Sequence, residues 1–160
     1  GTTTTFEKLV RANTVVIIPV TKDGKVVVTR EEQPGKEPFV SVAGGQVDPG
    51  EEIIDAAHRE LREETGYITN NMEVWKAFQP TSKIDWSNDF FLARDARKEY
   101  EQKLDPGEKI DMKLVSFEEF LGIAIQPDFI DKEIYRDVVE ARIDPEKMKE
   151  LKSFFLGNKN

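Results

Sequence analysis

Apolar and polar residues follow two different periods along the chain. Short β-branched runs predict strands at residues 13–20 and 25–30, and Asp23-Gly24 between them is a pair typical of a hairpin turn. Further strands are predicted at residues 39–43, 73–78, 89–93 and 109–115. Strands interleaved with a few helices predict a single α/β domain over residues 1–160, a sandwich around a mixed sheet.

Helical periodicity appears in three places. The clearest is residues 51–65, ended by Gly66, and two more helices are predicted near 131–142 and from Asp144-Pro145 onward. On a helical wheel of the first, the predicted buried side is formed by Ile53, Ala57 and Leu61, with Ile54 beside them.

Three glutamates on this first helix do not fit a simple solvent face. Glu60, Glu63 and Glu64 stand at positions i, i+3 and i+4, and Glu64 falls among the apolar positions. A carboxylate turned toward a core costs several kcal/mol unless it is paired or binds a metal. The pattern therefore predicts converging carboxylates around magnesium or manganese, with an ordinary charged surface helix as the alternative. His58 lies on the polar side and is predicted to be solvated.

Composition narrows the function classes. The formal net charge of −8 disfavours nucleic acid as a partner, and the absence of cysteine excludes disulfides, thiolate metal sites and a cysteine nucleophile. No apolar run approaches the ~20 residues of a membrane helix, so neither a membrane nor a signal peptide is expected. A cytoplasmic enzyme is the expectation.

A glycine pair precedes the acidic helix. Gly44-Gly45 leaves a backbone without Cβ atoms, which a phosphate or a metal can approach closely. The fixed positions around the pair and the helix are Gly45, Glu51, Arg59, Glu60, Leu61, Glu63, Glu64 and Gly66. Their spacing resembles the Nudix box of the Nudix hydrolase superfamily, with Tyr67 where that motif usually carries an aliphatic residue.

The resemblance implies a Nudix-type α/β/α sandwich and magnesium-dependent hydrolysis of a nucleotide diphosphate bond, with manganese able to substitute. It implies that Glu60, Glu64 and the Gly44 carbonyl bind metal, with Glu63 close by. Arg59 would orient the glutamates, and Glu51 would brace the loop. The general base lies either in the box or on a later loop, where Glu108 is the candidate; a turn-flanking surface charge is the alternative for Glu108. Water would attack phosphorus in line, without a covalent intermediate.

Substrate choice depends on residues outside the box. The element order resembles the ADP-ribose and nucleotide-sugar pyrophosphatases, although Ser41 stands where those enzymes usually carry a glutamate. Arg30, Gly45 and Trp86 are the predicted substrate contacts, with an ion pair to an acidic residue as the alternative for Arg30 and a packing role as the alternative for Trp86. The expected partner is a small nucleotide, and a homodimer is left open. A nucleoside triphosphate pyrophosphatase and a non-catalytic nucleotide-sensing module are the alternatives.

Overall fold

A mixed β-sheet between helices forms the centre of the computed structural model, which describes residues 1 and 3–157. In chain order the strands are β1 (Leu9–Val10), β2 (Thr14–Thr21), β3 (Val26–Glu32), β4 (Phe39–Ser41), β5 (Ala43–Gln46), β6 (Tyr67–Ile68), β7 (Asn71–Phe78), β8 (Ile84–Asp85), β9 (Asn88–Lys98) and β10 (Lys109–Val115). The helices are α1 (Ile53–Thr65), α2 (Phe117–Ile123), α3 (Tyr135–Ile143), preceded by a 3₁₀ turn at Lys132–Ile134, and α4 (Pro145–Leu156).

The sheet opens into two halves at one end. β2 and β3 form the predicted hairpin and pair at Val20 and Val26, but beyond that point each takes another partner. β5 pairs antiparallel with the start of β2, and β4 pairs antiparallel with the end of β3. β10 continues the β3 side, while β9 runs parallel to β2 and carries β6 and β7. The chain therefore crosses from one half to the other at Val42, directly before Gly44-Gly45.

The two faces of the sheet bury different kinds of side chain. On one face, α2, α3 and α4 cover a core that includes Phe90, Phe117, Phe120, Phe129 and Phe155. On the other face, α1 packs through Ala56, Ala57 and Leu61 against Val15, Ile17, Val27, Ala43 and Phe91. Small residues on both sides of this second contact let α1 approach β5 closely.

The predicted fold class and most predicted elements are confirmed. The β10 bounds agree, and α1 ends at Thr65 as predicted, with Gly66 as its left-handed cap at φ 72°. Ile54 was wrongly placed beside the buried side: it is 40% exposed, whereas Ile53 in the same turn packs against the α1-side core and Ala56 is fully buried. The single strand predicted at 39–43 is two strands, because the backbone changes partners at Val42.

Several elements were missed. α2 is the largest, although Ser116 and Glu119 form a capping box that the sequence contains as S-x-x-E. β1 and β8 are two-residue strands that pair with each other in parallel, too short to leave a periodic signal. Within the described residues, no helix combines the length and apolar character needed to cross a membrane.

Candidate active site

Two glycines allow the carboxylates of α1 to reach the sheet backbone. A Cβ on Gly44 would lie 2.5 Å from the Val15 carbonyl oxygen, and a Cβ on Gly45 would overlap the Glu60 carboxylate. A larger residue at Gly44 would push β5 away from the β2 backbone, and one at Gly45 would displace the Glu60 carboxylate. Both sides of β5 are therefore approached closely, by the β2 backbone at Gly44 and by the Glu60 carboxylate at Gly45, while the approach of a phosphate or a metal stays a prediction.

Glu64 turns from the helix toward this backbone. Its Oε2 accepts a hydrogen bond from the Gly44 N–H at 2.8 Å. Burial raises the pKa of Glu64 to about 9; the Gly44 bond opposes the shift, while the charges of Glu31, Glu60 and Glu108 add to it. These three neighbouring charges are all negative. The site therefore has an excess of negative charge, which a bound cation would neutralise.

Arg59 holds the loop and the helix together. Its Nε and Nη2 donate to the two carboxylate oxygens of Glu51 at 2.9 and 2.8 Å, and its Nη1 donates to Glu60 at 2.7 Å. Nη2 also donates to the Gln46 carbonyl, and Nη1 lies 3.5 Å from Glu63. These bonds hold the pKa of Glu51 at about 2 and raise that of Arg59 further. Glu51 in turn accepts from the Asp48 N–H at 3.0 Å, which fixes the loop before α1.

Glu60 and Glu63 both lie near Nη1 of the Arg59 guanidinium, at 2.7 and 3.5 Å. Burial raises the pKa of Glu60, and Arg59 partly offsets that effect. Among residues 1 and 3–157, no group of three or more acidic, histidine or cysteine side chains is arranged as a metal site. Glu64 accepts a hydrogen bond from Gly44 and Glu60 accepts one from Arg59. The two carboxylates are thus bonded to different protein donors.

The end of α1 is tied to the chain that leads toward Glu108. Gln102 Nε2 donates to the Glu64 carbonyl at 2.6 Å, and the Lys103 N–H donates to the Glu63 carbonyl at 2.7 Å. Glu108 is partly exposed, and its charge acts on both Glu64 and Glu31. The structure thus places Glu108 within electrostatic range of the box acids, although 44 positions separate it from Glu64.

Glu31 is an acidic residue that the sequence analysis did not identify. It is 5% exposed and lies on β3, beyond the residue 30 at which that strand was predicted to end. Burial raises the pKa of Glu31, against a hydrogen bond from Thr29. Extending the alternation of Val27 and Thr29 by one step would have placed Glu31 on the α1 face.

A second buried acid lies across the opening in the sheet. Asp131 is 8% exposed and accepts a hydrogen bond from the Ser41 hydroxyl at 2.9 Å. Burial raises its pKa to about 7, with the Ser41 bond opposing and the charges of Glu133 and Glu31 adding to the shift. Ser41, the position that departs from the pyrophosphatase pattern, is therefore the partner of an acid 90 positions away.

The other predicted residues are more dispersed. Tyr67 is buried in the α1-side core and packs as an aliphatic residue would. Arg30 is exposed, on the strand positions that alternate with Thr29 and Glu31 and so face away from α1. The Trp86 Nε1–H donates to the Thr14 hydroxyl at 3.2 Å, and the Arg11 guanidinium covers one face of its ring at 4.4 Å from the centroid. A stacking ligand on Trp86 would use the other face or displace Arg11.

Comparison with known proteins gives a consistent result. A family model described as NUDIX domain matches residues 10–138. The chain is 28% identical over 120 residues to the ADP-ribose pyrophosphatase of Bacillus subtilis (strain 168), covering 73% of this chain and 65% of that protein. It is 36% identical over 63 residues to the ADP compounds hydrolase NudE of Escherichia coli (strain K12), covering 39% of this chain and 33% of that one. The chain thus spans less than two thirds of the length of both relatives.

Solved structures agree on the fold. A crystal structure of an ADP compounds hydrolase superposes with a TM-score of 0.67 at 23% identity, over 83% of this chain and 72% of the other. MutT from Aliivibrio salmonicida and Vibrio cholerae gives a TM-score of 0.56 at 25% identity, over 70% of this chain and 84% of the other. At these identities the superpositions show that the fold is similar.

Proposed function

The chain belongs to the Nudix family, and from that premise we propose that it hydrolyses the diphosphate bond of a nucleoside diphosphate linked to another group. We infer a preference for ADP-ribose or a nucleotide sugar, giving a nucleoside monophosphate and a phosphorylated product. The observation that carries the proposal is the position of Glu64: a carboxylate held against the Gly44 backbone, with Glu31, Glu60 and Glu108 as its strongest charged neighbours.

The donor set fits a hard divalent cation in its chemistry. Carboxylate and carbonyl oxygens are the ligands that magnesium and manganese prefer, and the excess of negative charge requires a counter-charge. Glu60, Glu64 and the Gly44 carbonyl would hold the cation, with Glu63 near it. When bound, it would neutralise diphosphate oxygens and lower the pKa of a water molecule.

The remaining roles fall to the chain's own residues. Arg59 keeps Glu60 beside the glycine loop through its bond at 2.7 Å, and its paired bonds to Glu51 fix the loop. The missing side chain of Gly45 makes room for the Glu60 carboxylate, and the diphosphate would contact the Gly45 backbone beside it. Glu108 would accept the proton of the attacking water, because its position on a loop and its partial exposure let it reach a bound substrate; Glu63 or Glu64 is the alternative within the box.

The substrate preference has its own support. The matched relative from Bacillus subtilis is named ADP-ribose pyrophosphatase, and the one from Escherichia coli is named ADP compounds hydrolase. Trp86 offers one ring face for a base or a ribose. The Arg30 contact with a phosphate stays a prediction, and it adds no support here because that side chain faces away from α1. The net charge of −8 penalises a triphosphate more than a diphosphate wherever bound cations do not neutralise it.

A substrate panel in magnesium tests this function. We expect kcat/KM for ADP-ribose or a nucleotide sugar to exceed that for every nucleoside triphosphate, with nucleoside monophosphate as a product. Glu64→Gln, purified in parallel, controls for contaminating phosphatases. A tenfold preference for any triphosphate would contradict the substrate assignment. Nucleotide binding without turnover would indicate a sensing module. A homodimer and a cytoplasmic location stay predictions, for light scattering and cell fractionation to test.

A further inference from the structure

We propose that Glu31, which lies outside the sequence motif, is a further acidic residue of the cation site and strengthens its affinity for a divalent ion. The inference rests on the proposed function of that site. It concerns a residue on the sheet, whereas every acidic residue of the motif lies on α1 or on the loop before it. If it is right, the site is built from both sides of the opening in the sheet.

The position of Glu31 follows from the alternation of β3. Val27 packs in the α1-side core and Val28 in the opposite core, so Val27, Thr29 and Glu31 share the α1 face. Thr29 and Glu31 are both buried, which is unusual for two consecutive inward positions of a strand. The β3–β4 pairing ends here, with Glu31 opposite Phe39, so the side chain stands at the edge of the opening.

The bonds of Glu31 leave its charge unbalanced. Its Oε1 accepts from the Thr29 hydroxyl at 2.8 Å, and its Oε2 lies 3.4 Å from Gln33 Nε2. Within the described residues, neither oxygen has a cation at ion-pair distance. Lys36 is the one cation among the main influences on this carboxylate, and its Nζ is bonded to the Gln33 side chain at 2.7 Å. Hydrogen bonds from two neutral donors do not offset the free-energy cost of burying a negatively charged carboxylate.

Glu31 also connects the other acids of the site. Glu31 is paired across the sheet with Ile110, and Gln102 Nε2 donates to the carbonyls of both Ile110 and Glu64, so Glu31 and the end of α1 are held near each other. The charge of Glu31 acts on Glu64, as do those of Glu60 and Glu108. Glu108 acts on Glu31 as well, so the box acid and the loop acid share this neighbour. A divalent ion next to Glu64 would therefore gain attraction from Glu31 whether Glu31 binds it directly or through a water molecule. A merely structural role, holding Thr29 and the loop at Gln33, is the alternative.

Manganese titration without substrate separates the two roles. Glu31→Gln keeps an acceptor for the Thr29 hydroxyl and removes the charge, and Glu32→Gln is the matched control, because Glu32 is exposed and pairs with Lys109 on the surface. By isothermal calorimetry with MnCl₂ we expect Glu31→Gln to weaken binding about tenfold or more, and Glu32→Gln to stay within about twofold. In chelator, Glu31→Gln should melt no lower than the parent.

Parent-like manganese affinity in Glu31→Gln would overturn the proposal. If that variant does not fold, Glu31→Asp decides: it keeps the charge and should bind manganese within a few-fold of the parent, and a tenfold loss would mean that side-chain length matters rather than charge. The proposed function has a separate readout. A parent protein that neither binds manganese nor hydrolyses any substrate would refute both, whereas loss of activity in Glu64→Gln with no effect of Glu31→Gln would refute this inference alone.

Discussion

The two faces of the central sheet differ in the size and charge of the side chains that they bury. The α1 face is built from small residues such as Ala43, Ala56 and Ala57, which bring a helix close enough for Glu64 to bond the Gly44 backbone. The opposite face is filled by large rings, of which Phe120 contacts both Phe129 and Phe155. The α1 face thus has fewer large apolar contacts and contains buried carboxylates. The opposite face is packed with large apolar side chains.

This division predicts that activity and stability can be separated by mutation. Apolar burial stabilises by roughly 25 cal/mol per Å², so the ring-filled face should contribute more of the folding free energy. Buried carboxylates without counter-charge work against folding, so the α1 face should gain stability when a charge is removed. Such a trade is common where a site needs groups that the fold alone would not favour.

The largest effect is expected from Glu64→Gln. Because metal-assisted catalysis supplies several kcal/mol, the variant should lose roughly 10²- to 10⁴-fold in kcat with the preferred substrate. In chelator its melting temperature should equal or exceed that of the parent, because the raised pKa of Glu64 means that folding has to protonate or bury a carboxylate that is ionised in the unfolded chain, and glutamine removes that cost. Steady-state kinetics and calorimetry measure both, with Glu52→Gln at the exposed start of α1 as the control. A variant with near-normal turnover would remove Glu64 from the site.

The converse effect is expected from Phe120→Ala on the opposite face. Phe120 is fully buried among aromatic rings, so truncation should cost about 3 to 5 kcal/mol of unfolding free energy. Urea titration measures the loss, and Phe6→Ala, at a residue that is 86% exposed, should show almost none. Turnover per folded molecule should stay close to the parent. A large fall in kcat at temperatures where the variant is folded would mean that the two faces are coupled.

The acidic helix could be predicted because its information is local. The spacing of Gly45, Arg59 and Glu64 places each on a known side of a turn or a helix, and the structure confirms α1 and its C-terminal cap. The wheel was wrong at Ile54, which is 40% exposed, and it did not include Ala56, which is fully buried. Which residues of a helix meet the sheet depends on tertiary packing, and no helical period contains that information. The roles of the box glutamates stay predictions.

The rest of the site depends on contacts between distant segments. Ser41 and Asp131 meet across 90 positions, and nothing local in either marks the other as its partner. Glu31 was missed for a smaller reason, since its strand continues two residues past its predicted end at residue 30 and the charged pair Glu31-Glu32 was left outside it. Alternation places one of these glutamates inside and the other outside. Sequence periodicity therefore has to be followed through charged residues as well as apolar ones.

The buried carboxyl of Asp131 predicts how the free energy of unfolding depends on pH. Burial raises the pKa of Asp131 from 3.8 to about 7, so the folded state retains a proton that the unfolded chain has lost between about pH 4 and 7. Through this group the free energy of unfolding falls as pH rises across that window. In chelator, Asp131→Asn should therefore lose less melting temperature than the parent between pH 5 and 7.5, by a few degrees. Asp128→Asn, at an exposed neighbour, should follow the parent, and identical slopes for all three proteins would contradict the assignment.

The smallest effect is expected from His58→Ala. The absence of a large effect would support the orientation assigned to α1. His58 stands on α1 about 160° around the helix axis from Glu60 and about 120° from Glu64, partly exposed and away from the carboxylates. If the chemistry depends on carboxylates alone, kcat should stay within about twofold, and unfolding free energy should change by no more than about 0.5 kcal/mol. The pH–rate profile should also keep its shape, because no imidazole contributes a proton-transfer step. A loss of tenfold or more in kcat, or the disappearance of one limb of that profile, would mean that α1 presents a different side to the substrate, and the position assigned to Glu64 would have to be abandoned with it.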